Sequence, residues 1–326
     1  MKYAILLVTL LFVSASNAGT WVSDIDIKYK KKSPELYEMF VEARNLLDSH
    51  RGNTDVLILA KEKLDLILSK ENKFAPAYRE YARLYMKAGH ISNGNFQDGV
   101  LGSAETAILE SINIEPDYAD SYVLLGHLYT NKKLYEQAEK ALIRADEIGT
   151  ELPWFHLNYA DLLNKTNRAD QTLPHYMAVV NSGTDNKNAY SSALSGTANY
   201  YLKDENLLEA EKWYLKTAEF DQSAWRWGDH SWFMTFKLAD FDEGIESGEK
   251  ALSIMDYGFG RLYLACAYYG KWYELRESSP VESKAYYAKA STLIRDIRKA
   301  VRELEGYKAT RKISIELHNH STNTHH

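Results

Sequence analysis

One feature constrains this chain more than any other: a small side chain recurs at nearly fixed intervals inside otherwise large, apolar, helix-forming surroundings. It falls at Ala82, Gly126, Ala160 and Ala198, then at Trp232, which does not fit, then at Cys266. The steps are 44, 34, 38, 34 and 34 residues. The first excess coincides with an insertion from His90 to Ser103 rich in Gly and Asn. The second coincides with Asn181-Ser182-Gly183-Thr184-Asp185-Asn186, a loop composition. Two helices that cross closely need a small residue at the crossing, and larger residues at helical spacing then fill the space to the next pair. No single pair buries its apolar face, so neighbours must stack.

The repeat unit is clearest at Tyr122-x2-Leu125-Gly126-x2-Tyr129, followed by Ala138-x3-Leu142 and Ala145. Tyr78-x2-Tyr81-Ala82-x2-Tyr85 precedes it, with Ala104-x3-Ile108 and Pro116. Tyr159-Ala160-x2-Leu163 with Thr172-x3-Tyr176 follows, then Thr197-Ala198-x2-Tyr201 with Ala210-x3-Tyr214. Upstream, Pro34–Ser49 and Val56–Ser69 read as a degenerate first pair. Downstream, Leu262-x2-Ala265-Cys266-x2-Tyr269 opens a last one, whose second helix is displaced and runs from Val281 to about Glu305 as an elongated polar cap. The copy over Trp225–Asp256 departs at its first helix, where Trp232 is expected to fill space vacated by Gly228 and Ser231.

These residues resemble the tetratricopeptide repeat family over nearly the whole chain after the first residues. The resemblance implies an all-α fold: a right-handed α-solenoid of about seven helical hairpins with a longer C-terminal capping helix. Its groove is expected to be lined by the first helices and to bind an extended segment of a protein partner. The groove positions of the pattern give Arg79, Arg83, Lys87, Val123, His127, Asn131, Leu157, Asp161, Lys165, Ser195, Asn199 and Lys203. Further on they give Asp229, Phe233, Phe236, Lys237, Tyr263 and Lys271. The clamp with which some members hold a chaperone's terminal carboxylate needs Lys and Asn one turn apart, and Val123 and His127 stand there instead.

Among these residues, Lys87, Lys165, Lys203, Lys237 and Lys271 form a row. They read either as a basic stripe for an acidic peptide or anionic polysaccharide, with Arg79 and Arg83 assisting, or as solubilising helix formers. Trp225, Trp227, Trp232, Phe233 and Phe236 crowd one hairpin. Aromatics at helical spacing belong to a core, but Phe233 and Phe236 fall on groove positions and stand as candidates for stacking on sugar faces. That motivates an alternative role as a glycan-binding accessory of exopolysaccharide assembly or export.

Export is the expectation at the N-terminus. Lys2 precedes the apolar run Ala4–Val13, and Ser16-Asn17-Ala18 has the small residues of a cleavage site, which assigns 1–18 to a signal peptide. The chain then divides into an extension over 19–32, repeats over 33–312 and a disordered tail over 313–326 carrying His318, His320, His325 and His326. A periplasmic location is expected, or secretion as the alternative, with no transmembrane segment. The net charge of −6 argues against general nucleic-acid affinity.

Catalytic signatures fail. The chain has no G-x-x-x-x-G-K-[ST], no H-E-x-x-H and no G-x-S-x-G, and its acids are scattered. In the insertion only His90 and Asp98 titrate. Cys266, the single cysteine, can form neither an intrachain disulfide nor a cysteine cluster, and it sits at the close-packed position. The sequence therefore points to a non-catalytic scaffold without cofactor and without a metal site.

Overall fold

The computed structural model describes residues 22–50, 52–92 and 95–323; the expected signal peptide lies outside them. The described chain is all-α and of the solenoid class, with seventeen α-helices among the described residues and one short β-hairpin. Its contacts fall into two compact units. One comprises Met1–Leu128, Lys140–Phe155 and Ala178–Asn186, the other Tyr129–Glu139, His156–Met177 and Lys187–His326.

Helix α1 (Asp24–Lys32) precedes seven consecutive helix pairs. They are α2 (Pro34–Ser49) with α3 (Thr54–Lys70), α4 (Ala75–Gly89) with α5 (Val100–Ile114), α6 (Ala119–Asn131) with α7 (Tyr135–Ile148), and α8 (Pro153–Lys165) with α9 (Thr172–Asn181). There follow α10 (Lys187–Lys203) with α11 (Leu207–Asp221), α12 (Ala224–Phe233) with α13 (Phe241–Ile254), and α14 (Gly258–Leu275) with α15 (Pro280–Leu293). The insertion over 90–103 is not only loop: His90–Ser92 and Asn95–Phe96 pair as an antiparallel hairpin, with the rings of His90 and Phe96 edge to face.

Starts and stops follow local chemistry. Proline occupies the first turns of α2, α4 and α15, where its missing N–H costs nothing. Asn206, Ser223 and Asp240 cap α11, α12 and α13 by accepting from backbone amides one turn on. Within four pairs the turn is closed by one residue in the left-handed region: Lys133, Asn167, Glu205 and Ala239, with φ of 61°, 58°, 57° and 56°. These turn residues are separated by 34, 38 and 34 positions, the same steps that separate Gly126, Ala160, Ala198 and Trp232. Turn geometry and crossing residue thus keep one clock.

The crossing residues are where the sequence places them. Ala82, Ala160, Ala198 and Cys266 are fully buried, as are Ala104, Ala138 and Ala210 on the facing second helices. The misfit at Trp232 resolves through a one-residue slip. Ser231 takes the crossing place, fully buried, and its hydroxyl donates to the Gly244 carbonyl of α13 at 2.6 Å. Residues Met234–Leu238 then form a π-helical turn, which accommodates one extra residue and returns Ala239 to the repeat. Trp232 is turned aside, its indole N–H donating to the Tyr307 hydroxyl at 3.3 Å. It does not fill the space at Gly228. Tyr257 does: its hydroxyl donates to the Ala224 carbonyl at 3.2 Å and lies where a Cβ at 228 would be.

The C-terminal region departs from the expected single long helix. Chain after α15 breaks into α16 (Ile297–Glu305) and α17 (Arg311–Asn323). Asp296 starts α16 by accepting from the Arg298 amide at 3.1 Å. Leu304 and Leu317 are fully buried, and they join the cluster formed with Phe236, Leu264 and Trp272. The tail expected to be disordered is helical as far as Asn323, because it carries Ile313 and Leu317 one turn apart on a face that packs.

Candidate functional site

The candidate groove residues divide by what holds them. Arg79 and Arg83, on α4, belong to a buried ionic cluster. Arg79 is 5% exposed and donates to Asp120 at 2.7 Å and to Glu80; Arg83 donates to Glu80 at 2.7 Å and to Asp48. Asp26 of α1 lies in the same cluster, fully buried, accepting from the Tyr118 hydroxyl at 2.7 Å. Burial pushes the Asp26 carboxyl up, opposed by the Arg79 charge, while burial of Glu80 is outweighed by Arg83 and Arg79, which hold its carboxyl down. These arginines therefore hold the first unit together. Lys87, His127 and Asn131 are half-buried.

The lysine row is largely engaged within the chain. Lys165 pairs with Asp161 one turn earlier at 3.1 Å, and Lys271 with Asp242 at 2.7 Å and Glu274 at 3.3 Å. Lys237 stands over the rings of Tyr307 (4.9 Å) and Trp232 (5.5 Å), a cation–π arrangement. A continuous stripe of uncompensated positive charge is not formed.

Phe233 and Phe236 correct the sequence reading outright. They are 0% and 1% exposed. Phe233 stacks on Tyr214 at 4.8 Å and Phe236 packs on Tyr307 at 5.0 Å. The slip at Ser231 and the π turn rotate both inward, so neither can stack on a sugar, and the glycan reading loses the residues that motivated it. Cys266 is likewise sealed in the core, its thiol pushed well above the ordinary range by burial.

Two candidates do share a site. Asn199 and Lys203 of α10 line a cavity of about 250 Å³ together with Asn164 of α8, Thr172 and Tyr176 of α9, Gly196, Tyr200 and Asp204 of α10, and Ala169 and Asp170. Asp161 stands one turn from Asn164 on α8, beside Lys165. Gly196 lets the Tyr176 ring pack against α10, since the ring lies where a Cβ would sit. Asn164 is the pivot. Its amide donates to the Tyr176 hydroxyl at 3.0 Å, and its carbonyl accepts from Lys203 Nζ at 3.2 Å. Asn199 accepts from the Tyr214 hydroxyl at 2.7 Å, which leaves its amide hydrogens for a ligand. Burial raises the Tyr176 phenol, so its proton stays in place at neutral pH.

Sequence reasoning named Asn199 and Lys203 here and missed Asn164, Tyr176 and Gly196, while Asp161 and Lys165 pair with each other outside the lining. The available signal was Gly196, a glycine in the interior of α10 two residues before the crossing Ala198. The lining offers donors and acceptors, with Lys203, Asp170 and Asp204 among them.

No family model matches the chain, and no curated protein matches it. Solved structures do. The chain is similar to pilF of Pseudomonas aeruginosa at 12% identity, over 71% of this chain and 96% of that one, with a TM-score of 0.52. It is similar to a monomeric mutant of IFIT1 in complex with Gppp-AAAA at 13% identity, over 86% and 66%, TM-score 0.57. A signal-transduction ATPase with a tetratricopeptide repeat sensor from Pyrococcus horikoshii matches at 13% identity, over 91% and 50%, TM-score 0.56. With the buried crossing residues and the common clock of the turns, these likenesses give the chain a tetratricopeptide-like fold.

Proposed function

We propose that the chain is a non-catalytic scaffold of the cell envelope that holds an extended segment of a protein partner on the first helices of its pairs, with the Asn164–Asn199–Lys203 cavity as one anchoring point. The observation that carries this reading is the cavity itself. Asn164 stands four residues and Lys203 five residues after a crossing alanine, on first helices of successive pairs, and both line one pocket whose walls are otherwise largely apolar. An extended backbone exposes alternating N–H and C=O groups, and primary amides answer both at once. Tyr176 and Tyr200 add flat apolar surface on which a side chain of the segment can rest.

Recovery of partners from an envelope extract tests the reading. The wild-type chain is expected to capture a defined protein that a variant carrying Asn164→Ala, Asn199→Ala and Lys203→Ala does not, with both chains equally helical by circular dichroism. Equal capture by the two overturns the anchoring role. Export rests on Lys2, the apolar run and Ser16-Asn17-Ala18. Mature protein from the periplasm is expected to begin at Gly19, and an intact Met1 on protein confined to the cytoplasm defeats that part alone.

A further inference from the structure

The pair α8 and α9 brings together two imidazoles that the chain keeps nineteen residues apart. Nδ1 of His156 and Nδ1 of His175 face each other at 3.2 Å, with ring centroids 5.4 Å apart. The Tyr159 ring stacks on His175 at 4.8 Å, inclined by 11°, which fixes the plane of that imidazole. Both histidines are half-buried at the surface of two helices joined by the tight turn at Asn167.

From this geometry we propose that His156 and His175 form a two-ligand site for a divalent transition ion of the class that favours imidazole: zinc, nickel or copper. At metal–nitrogen distances of about 2.0–2.1 Å, two ligands of a tetrahedral ion are about 3.3–3.4 Å apart, close to the separation already present. Without the ion, one Nδ1 keeps its hydrogen and donates it to the other. Binding needs the lone pairs of both Nδ1 atoms, so the hydrogen on one Nδ1 is exchanged through solvent to Nε2 of the same ring and both imidazoles stay neutral. Protons compete with the metal for these nitrogens, so affinity falls as pH drops. Among the described residues no third His, Cys, Asp or Glu completes a cluster. Two coordination positions are therefore left for water or for a side chain brought by a partner. Calcium and magnesium, which require oxygen ligands, are not accommodated. His175 immediately precedes Tyr176, and Asn164 lies two turns along α8 from His156, so an occupied site stiffens the wall of the Asn164–Asn199–Lys203 cavity.

Thermal unfolding of the full mature protein, made without an affinity tag, tests the proposal with zinc chloride and nickel chloride as probes. Either ion is expected to raise the unfolding midpoint of the wild type. His156→Ala and His175→Ala are each expected to lose that rise, with affinity lowered about tenfold or more. A double variant, His325→Ala with His326→Ala, controls for the terminal histidines and is expected to keep it. Electron paramagnetic resonance of the wild type with copper(II) supplies a readout independent of variant folding, and a signal from two nitrogen ligands is expected. No midpoint shift in the wild type at millimolar metal overturns the proposal. So does a shift that persists in both single variants or vanishes only with the terminal pair.

Discussion

The phenol ring of Tyr176 lies directly against the backbone of Gly196, occupying the position a side chain would take there, and the hydroxyl at its far end accepts from Asn164. The atoms nearest a methyl group at 196 all belong to this ring. Gly196→Ala is therefore expected to expel Tyr176 and break its bond to Asn164, with a loss of about 1–3 kcal/mol from overpacking. Urea unfolding measures the loss. Gly196→Ala combined with Tyr176→Ala is expected to recover part of it, since the clash is then gone.

The corrected position of Phe233 makes a second expectation. Its fully buried ring packs on Tyr214 and Met234, so Phe233→Ala should cost about 3–5 kcal/mol. An exposed groove residue at the same place would cost less than about 0.5 kcal/mol. Chemical denaturation separates the two.

Arg79 gathers Glu80 and Asp120 and lies beside Asp26. Removing its charge leaves three carboxyls in one buried place, so Arg79→Met is expected to destabilise by about 3–5 kcal/mol. Addition of Asp120→Asn should restore part of that stability. Simple additivity of the two substitutions would contradict the cluster.

His230 is buried, its Nδ1 2.8 Å from the Ser247 hydroxyl, and burial pulls its imidazolium down to about 4 from the ordinary 6.5. The folded state keeps it neutral while the unfolded chain takes up a proton below about 6.5. Stability is thus present above that pH and declines as pH falls toward about 4, by up to roughly 3 kcal/mol. Replacing His230 with Asn is expected to flatten the decline between pH 6.5 and 4. Unfolding free energies at pH 7.5, 5.5 and 4.5 measure the difference.

The left-handed turn residues differ in how well they suit their place. Ala239 and Glu205 bear a Cβ penalty that glycine does not, so Ala239→Gly and Glu205→Gly should each stabilise by about 0.5 kcal/mol after the greater freedom of glycine in the unfolded chain is subtracted. Asn tolerates this region, and Asn167→Gly should change little. Differential scanning calorimetry resolves the contrast.

The parts of the fold legible in the sequence are those set by steric necessity at fixed spacing. Ala82, Gly126, Ala160 and Ala198 had to be small because two helices cross there, and a size constraint repeats whatever the neighbours are. Groove assignments needed more than spacing. Those at Phe233 and Phe236 assumed an unbroken 3.6-residue helix counted through Trp232, and a slip of one residue turns a side chain by about 100°. At Arg79 the carboxyl of Asp26 acts from α1, a segment that carries no repeat, and Arg83 is taken up by Glu80 and Asp48. His156 and His175 match no ligand motif, since only the folding of one helix onto the next makes them neighbours.

The π turn over Met234–Leu238 has a consequence for how this chain can change length. It is a place where the polypeptide keeps one surplus residue in reserve. Shortening the chain by a residue there is expected to leave an ordinary helical turn and move Ser231 and Phe233 around the axis relative to α13. The same deletion in α10, which has no such slack, would throw every later side chain out of phase. Tolerance to single-residue insertion and deletion is thus concentrated in one repeat, the one whose pattern looked most eroded.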